Sequence, residues 1–147
     1  MINKKLSFIL PLPVYSRDIF ISFGETNKEV LDQLSRFGIS DKDCELAIIV
    51  PESSTTGRFA LFENGNSIIR LINYPSTPEG YGTLAHEIFH AVTFIMDDIG
   101  GSFALGSSDE SYAYLVGYVT KIIYGMLEEF NKKPVRKNAV KRKPIKK

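Results

Sequence analysis

The pair Asn64-Gly65, set between the β-rich runs RFALFE and NSIIRLI, constrains this chain more than any other dipeptide in it. Both central residues of a tight hairpin turn need positive φ, which Asn tolerates and Gly adopts freely. Asn-Gly between two such runs is therefore the strongest short-range hairpin signal a sequence carries. The connector YPSTPEGYG follows, and then TLAHEIFHAVTFIMDD, which predicts a helix from about Glu79 or Thr83 to Asp98, closed by Gly100-Gly101.

The other elements are read around this pair. VYSRDIFISF, Val14–Phe23, mixes aromatic and β-branched residues in partial alternation and predicts a strand. Asn27 is the expected N-cap of a helix through about Phe37, with Val30, Leu31, Leu34 and Phe37 on one face and Gly38 as its stop. Leu46–Val50, ended by Pro51, predicts a short buried strand, and a last helix is expected from near Ser108 to about Phe130. The order implies an α+β domain: a small mixed or antiparallel sheet backed by an N-terminal helix and two C-terminal ones.

At 147 residues and 44% hydrophobic composition the chain forms one domain, residues 1–130, with a sizeable core. Its one cysteine, Cys44, allows no intrachain disulfide and is expected to be an ordinary partly buried thiol. Lys4-Lys5 followed by LSFILPLPV could pass for a signal sequence, but Pro11 and Pro13 break the apolar stretch and no small-x-small cleavage site follows. No run approaches the roughly 18 apolar residues of a membrane span, so a soluble, cytoplasmic protein without a membrane partner is expected.

The net charge of +1 hides an asymmetry. Residues 131–147, NKKPVRKNAVKRKPIKK, hold nine of the 18 Lys and Arg and none of the Asp and Glu. Such a segment cannot bury enough apolar surface to order itself, so a basic disordered tail is expected. It either binds nucleic acid or another polyanion by counterion release or only solubilises and screens an acidic domain.

The chemistry lies in His86-Glu87-Ile88-Phe89-His90. Residues four apart on a helix share a face, so His86 and His90 can aim two imidazoles at one point. Two nitrogens about 2.0–2.1 Å from a metal suit Zn2+, and Glu87, one step round, falls beside the ion, where it can take a proton from water. The competing reading is a pair of core histidines, because Leu84, Ala85, Ile88, Phe89, Ala91, Val92, Phe94 and Ile95 make the helix apolar nearly all round. Against it, the chain's only two histidines both lie in this motif. Burying two imidazoles and a carboxylate also demands a partner.

Catalytic zinc usually takes a third protein ligand. Met96 and Thr93 exclude the longer motif with a third histidine, and Asp97 and Asp98 lie roughly 10–12 Å up the helix from His90. Glu110 is the chosen candidate, with Ala113 and Gly117 as a small-residue strip that would admit the neighbouring helix, and Asp109 as the substitute. Glu110 has a local alternative too, since Ser107-Ser108-Asp109-Glu110 is a capping-box pattern.

HExxH on one helix, with a glutamate 20 positions after the second histidine on the next, resembles the gluzincin metallopeptidases, the clan that includes thermolysin. Over about residues 55–125 the chain is similar to their single-domain miniature members and to small HExxH proteins of phages and mobile elements. The resemblance implies a zincin-like fold, with His86, His90 and Glu110 as metal ligands and Glu87 as general base. It also implies that SIIRLINY lines the cleft, where an extended peptide pairs with a strand edge. Tyr114 stands where thermolysin-like enzymes carry an aspartate behind the first histidine; with no further histidine present, a tyrosine or arginine must stabilise the oxyanion, and Tyr114 is the choice. The function expected is a zinc-dependent peptidase acting on a peptide or protein. The alternative is a non-catalytic zincin-fold binding or structural module, in a phage particle or on a polyanion through the basic tail.

Overall fold

The hairpin forms at Asn64-Gly65, but only Gly65 takes positive φ, 82°, and not Asn64: the turn is a longer one in which the Phe62 amide donates to the Asn66 carbonyl at 2.8 Å and the Gly65 amide to the Phe62 carbonyl at 2.9 Å. In the computed structural model, which describes residues 4–49 and 55–132, it joins strands β3, Gly57–Leu61, and β4, Ser67–Leu71. Upstream lie β1, Leu6–Leu12, a short 3-10 turn at Pro13–Tyr15, β2, Arg17–Phe23, and helices α1, Asn27–Arg36, and α2, Asp41–Leu46. Downstream are α3, Pro78–Asp98, and α4, Asp109–Lys132. Among the described residues, none of these helices is long and apolar enough to cross a membrane.

The protein is α+β, with one four-stranded mixed sheet ordered β1-β2-β4-β3. β1 pairs antiparallel with β2, β2 parallel with β4, and β4 antiparallel with β3. The central strands are apolar on both faces because both faces are covered. Ile19, Ile21, Phe23, Ile69 and Leu71 pack with Leu84, Ile88, Val92, Leu115, Val119 and Ile123 of α3 and α4. Phe20, Ile68 and Ala60 turn the other way, onto Val30 and Leu34 of α1 and Cys44 of α2.

Several expectations change. LSFILPL is an edge strand of the sheet, with Leu10 and Leu12 buried in the core and Pro11 on the open side. The strand expected at Leu46–Val50 does not form over its described part, Leu46–Ile49. Ser40 accepts the Asp43 amide and starts α2, which takes in Cys44 and Leu46. Ile49 then bonds through its amide and carbonyl to the Asn27 side chain, and Ala47 through its carbonyl to Arg70, so no ladder is available to them. Cys44 is buried, as expected of a packing thiol.

The domain boundary also moves. α4 continues to Lys132, and Asn131 accepts hydrogen bonds from Lys4 and from the Tyr74 hydroxyl, so it belongs to the fold. The rest of the expected tail, residues 133–147, lies outside the described residues.

Candidate metal and peptide site

α3 starts where Thr77, its N-cap, accepts the Gly80 amide beside Pro78, and runs for 21 residues under β4 and β3. Its buried arc is Leu84, Glu87, Ile88, Ala91, Val92, Ile95 and Met96. His86 lies outside that arc and is exposed, while His90 is half-buried. The two are therefore not core histidines. Their Nε2 atoms stand 3.0 Å apart with the rings nearly perpendicular, at 82°. Two imidazole nitrogens on a tetrahedral zinc would stand roughly 3.3 Å apart. At 3.0 Å the two nitrogens are within hydrogen-bond reach of each other, a separation a few tenths of an ångström short of what two ligands of one zinc require. Because the rings meet solvent, the burial argument for a metal applies to Glu87 alone.

Glu87 is 7% exposed. Burial pushes its carboxyl above the ordinary range. The charge His86 and His90 carry when protonated, a hydrogen bond from the Phe59 backbone and the charge of Arg58 pull it back down. The carboxylate is pressed against the start of β3. A Cβ on Gly57 would stand 2.6 Å from Thr83 Cγ2 and 2.9 Å from Glu87 Oε1, so only glycine lets the strand approach this closely.

β3, not SIIRLINY, lines this site. The strand opening SIIRLINY is β4, which lies inside the sheet between β2 and β3. Phe59, Ala60 and Leu61 of β3 close a cavity of about 350 Å³ with His86, Glu87, His90 and Phe94. β3 has no partner on its outer side among the described residues. The Phe62–Asn66 and Thr56–Ile72 hydrogen bonds fix the register of its ladder with β4. By alternation, the backbone groups of Gly57, Phe59 and Leu61 point outward.

The third expected ligand does not arrive. Among the described residues no set of three His, Cys, Asp or Glu side chains comes together. α4 buries Tyr112, Leu115, Val119, Ile123 and Leu127. Glu110 lies roughly 160° round the helix from Tyr112 and is exposed, as are Ala113 and Gly117. The axial offset is also wrong. α4 runs back along α3 so that Tyr124 stacks on Tyr81, at 5.7 Å, and the Tyr112 hydroxyl donates to the Gly101 carbonyl. The tyrosine stack puts residues near 115–119 level with the histidines and the Tyr112 contact puts still later ones there, which leaves Glu110 at least about 10 Å beyond them. Asp109, the substitute, accepts the Gly106 amide within its own loop.

Tyr114 is likewise elsewhere. It is 73% exposed and lines a groove with Leu12, Pro13, Val14 and Tyr15, not the cavity beside Glu87. Arg58 acts only weakly on the Glu87 carboxyl and, by the alternation that turns Phe59 onto α3, stands on the other face of the sheet, outside this cavity. Sequence reasoning missed Gly57, Phe59 and Phe94. Phe94 had a readable signal, since it continues the 86-90-94 spacing one turn past His90.

Comparison of the chain with protein-family models, curated proteins and solved structures finds no match.

Proposed function

We propose that this chain is a zinc-dependent peptidase of zincin-like architecture, with His86 and His90 holding the ion and Glu87 as general base. The observation that supports it is the convergence of two imidazole Nε2 atoms, 3.0 Å apart, beside a buried carboxylate under a strand edge that has no partner strand among the described residues. Zinc bound there would supply a Lewis acid that polarises a carbonyl and acidifies water. The outward backbone groups of Gly57 and Leu61, on either side of the Phe59 amide held by Glu87, pair with an extended peptide and align its carbonyl over α3. Glu87, whose buried carboxylate prefers to be protonated more than a surface glutamate does, takes the proton of the attacking water and hands it to the leaving amine.

One observation favours the second reading, a zinc-holding or peptide-binding module without turnover. Among the described residues only two protein ligands converge, where catalytic zinc sites usually offer three. Metal content by mass spectrometry and peptide cleavage, on the parent chain and Glu87→Gln, separate the two. The peptidase reading expects about one zinc per chain in both and cleavage by the parent alone, with loss of at least about a hundredfold in the variant. Zinc in both with cleavage in neither establishes the module. Failure of the parent chain to take up zinc removes the peptidase and the zinc-holding module alike.

A further inference from the structure

The cavity beside the histidines is asymmetric along the strand edge. Towards the C-terminal end of β3 its walls are Phe59, Leu61 and Phe94. Phe59 and Phe94 face each other with ring centroids 5.5 Å apart, and Phe94 remains 48% exposed. Beyond Gly57, at the other end, a second cavity of about 350 Å³ has Thr56, Asn73, Thr77, Glu79 and Thr83 among its walls beside Leu71 and Tyr74, and no phenylalanine. Gly57, pressed on Thr83 and Glu87, lies between the two.

An exposed phenylalanine is unremarkable by itself. Here it stands one turn past His90, with ring centroids 6.4 Å apart, below a strand that has no partner strand on its outer side among the described residues, the Phe59 backbone bonding only to Glu87. A chain that pairs with that edge presents alternate side chains to the α3 face, because strand side chains alternate. Phe59 shows where such side chains point: its ring reaches α3 while its neighbour Ala60 packs on the other face. The backbone edge demands an extended peptide, and the aromatic walls demand an apolar side chain from it.

We propose that Phe59, Leu61 and Phe94 form a subsite for one large apolar side chain, aromatic or leucine-like, of an extended peptide bound along β3. The proposal rests on the reading above for the occupant being a peptide, and not on that peptide being cut. It makes Phe94 a specificity-determining residue.

The test uses the full chain, zinc-loaded and carrying Glu87→Gln, with pools of fluorescent heptapeptides degenerate except for a fixed central Phe, Leu, Ala or Glu. Anisotropy titration should show the Phe and Leu pools binding at least about tenfold tighter than the Ala and Glu pools. Adding Phe94→Ala should erase that ratio while leaving the Ala pool within about twofold, and adding Phe94→Leu should keep much of it. Circular dichroism confirms that both variants fold. Equal binding of all pools, no binding of any, or a preference that survives Phe94→Ala overturns the subsite. The same pools offered to the parent chain test cleavage separately. Preference without cleavage sinks the peptidase reading and keeps the subsite; cleavage without preference does the reverse.

Discussion

Gly57 shows how much a single missing side chain decides. Its position against Thr83 and Glu87 lets the edge strand lie on α3, and the same contact brings the Phe59 backbone to the Glu87 carboxylate. Gly57→Ala would place a methyl group where there is no free volume. It should destabilise the fold by about 1–3 kcal/mol, read as a lower urea midpoint at unchanged slope. It should also weaken whatever Glu87 does while leaving the histidines free to bind zinc. A variant as stable as the parent would mean that β3 does not press on α3. Glu87 was nameable from sequence because its role follows from position i+1 in a local motif. Gly57 was not, because nothing in GRFAL says which helix will cross it.

At the scale of elements, α1 illustrates the limit of local signals. Asn27 had the composition of an N-cap, but Thr26 fills that place. Thr26 accepts the Glu29 amide, and Glu29 reaches back to the Thr26 amide at 2.8 Å, a complete capping box. Asn27 instead holds Ile49 and accepts from buried Arg70 at 2.6 Å, joining α1, β4 and the end of α2. Lys5 and the cap draw the Glu29 carboxyl down from its usual 4.5 to about 2. A folded-state value below the unfolded one stabilises the protein fully above about pH 4.5, and this contribution is lost as pH falls towards 2. The gap in urea midpoint between parent and Glu29→Gln should therefore be widest near neutrality and close by about pH 2. A gap independent of pH would show that the cap works without its charge. Thr26→Ala, which removes the acceptor itself, should cost about 1 kcal/mol at neutral pH and less at about pH 2, because the same hydroxyl donates to the Glu29 carboxylate.

For the whole molecule, the rotation and axial offset of α4 decide what kind of metal site exists. Its apolar stripe, Tyr112, Leu115, Val119, Ile123 and Leu127, must face the core, and that turns Glu110 outward. The tyrosine stack between Tyr81 and Tyr124 marks the offset between the helices. Glu110→Ala should leave zinc affinity within about twofold in a chelator-competition titration. His90→Ala should lower it by well over about tenfold. Zinc lost with Glu110→Ala would require the start of α4 to travel some 10 Å to the histidines, and the packing of the two helices would have to be redrawn.

The residues themselves determined the hairpin at Asn64-Gly65, the spans of α3 and α4, and the pairing of His86 with His90, because turn dihedrals and the i to i+4 spacing are properties of a few consecutive residues. They could not say that the hairpin's first strand is the edge, that the histidines face the open side, or that LSFILPL pairs with β2. Those outcomes depend on which apolar surfaces meet when layers close over one sheet. Two helices joined by a loop carry no local record of their relative rotation, so the spacing from His90 to Glu110 looked right along the chain and proved wrong in space.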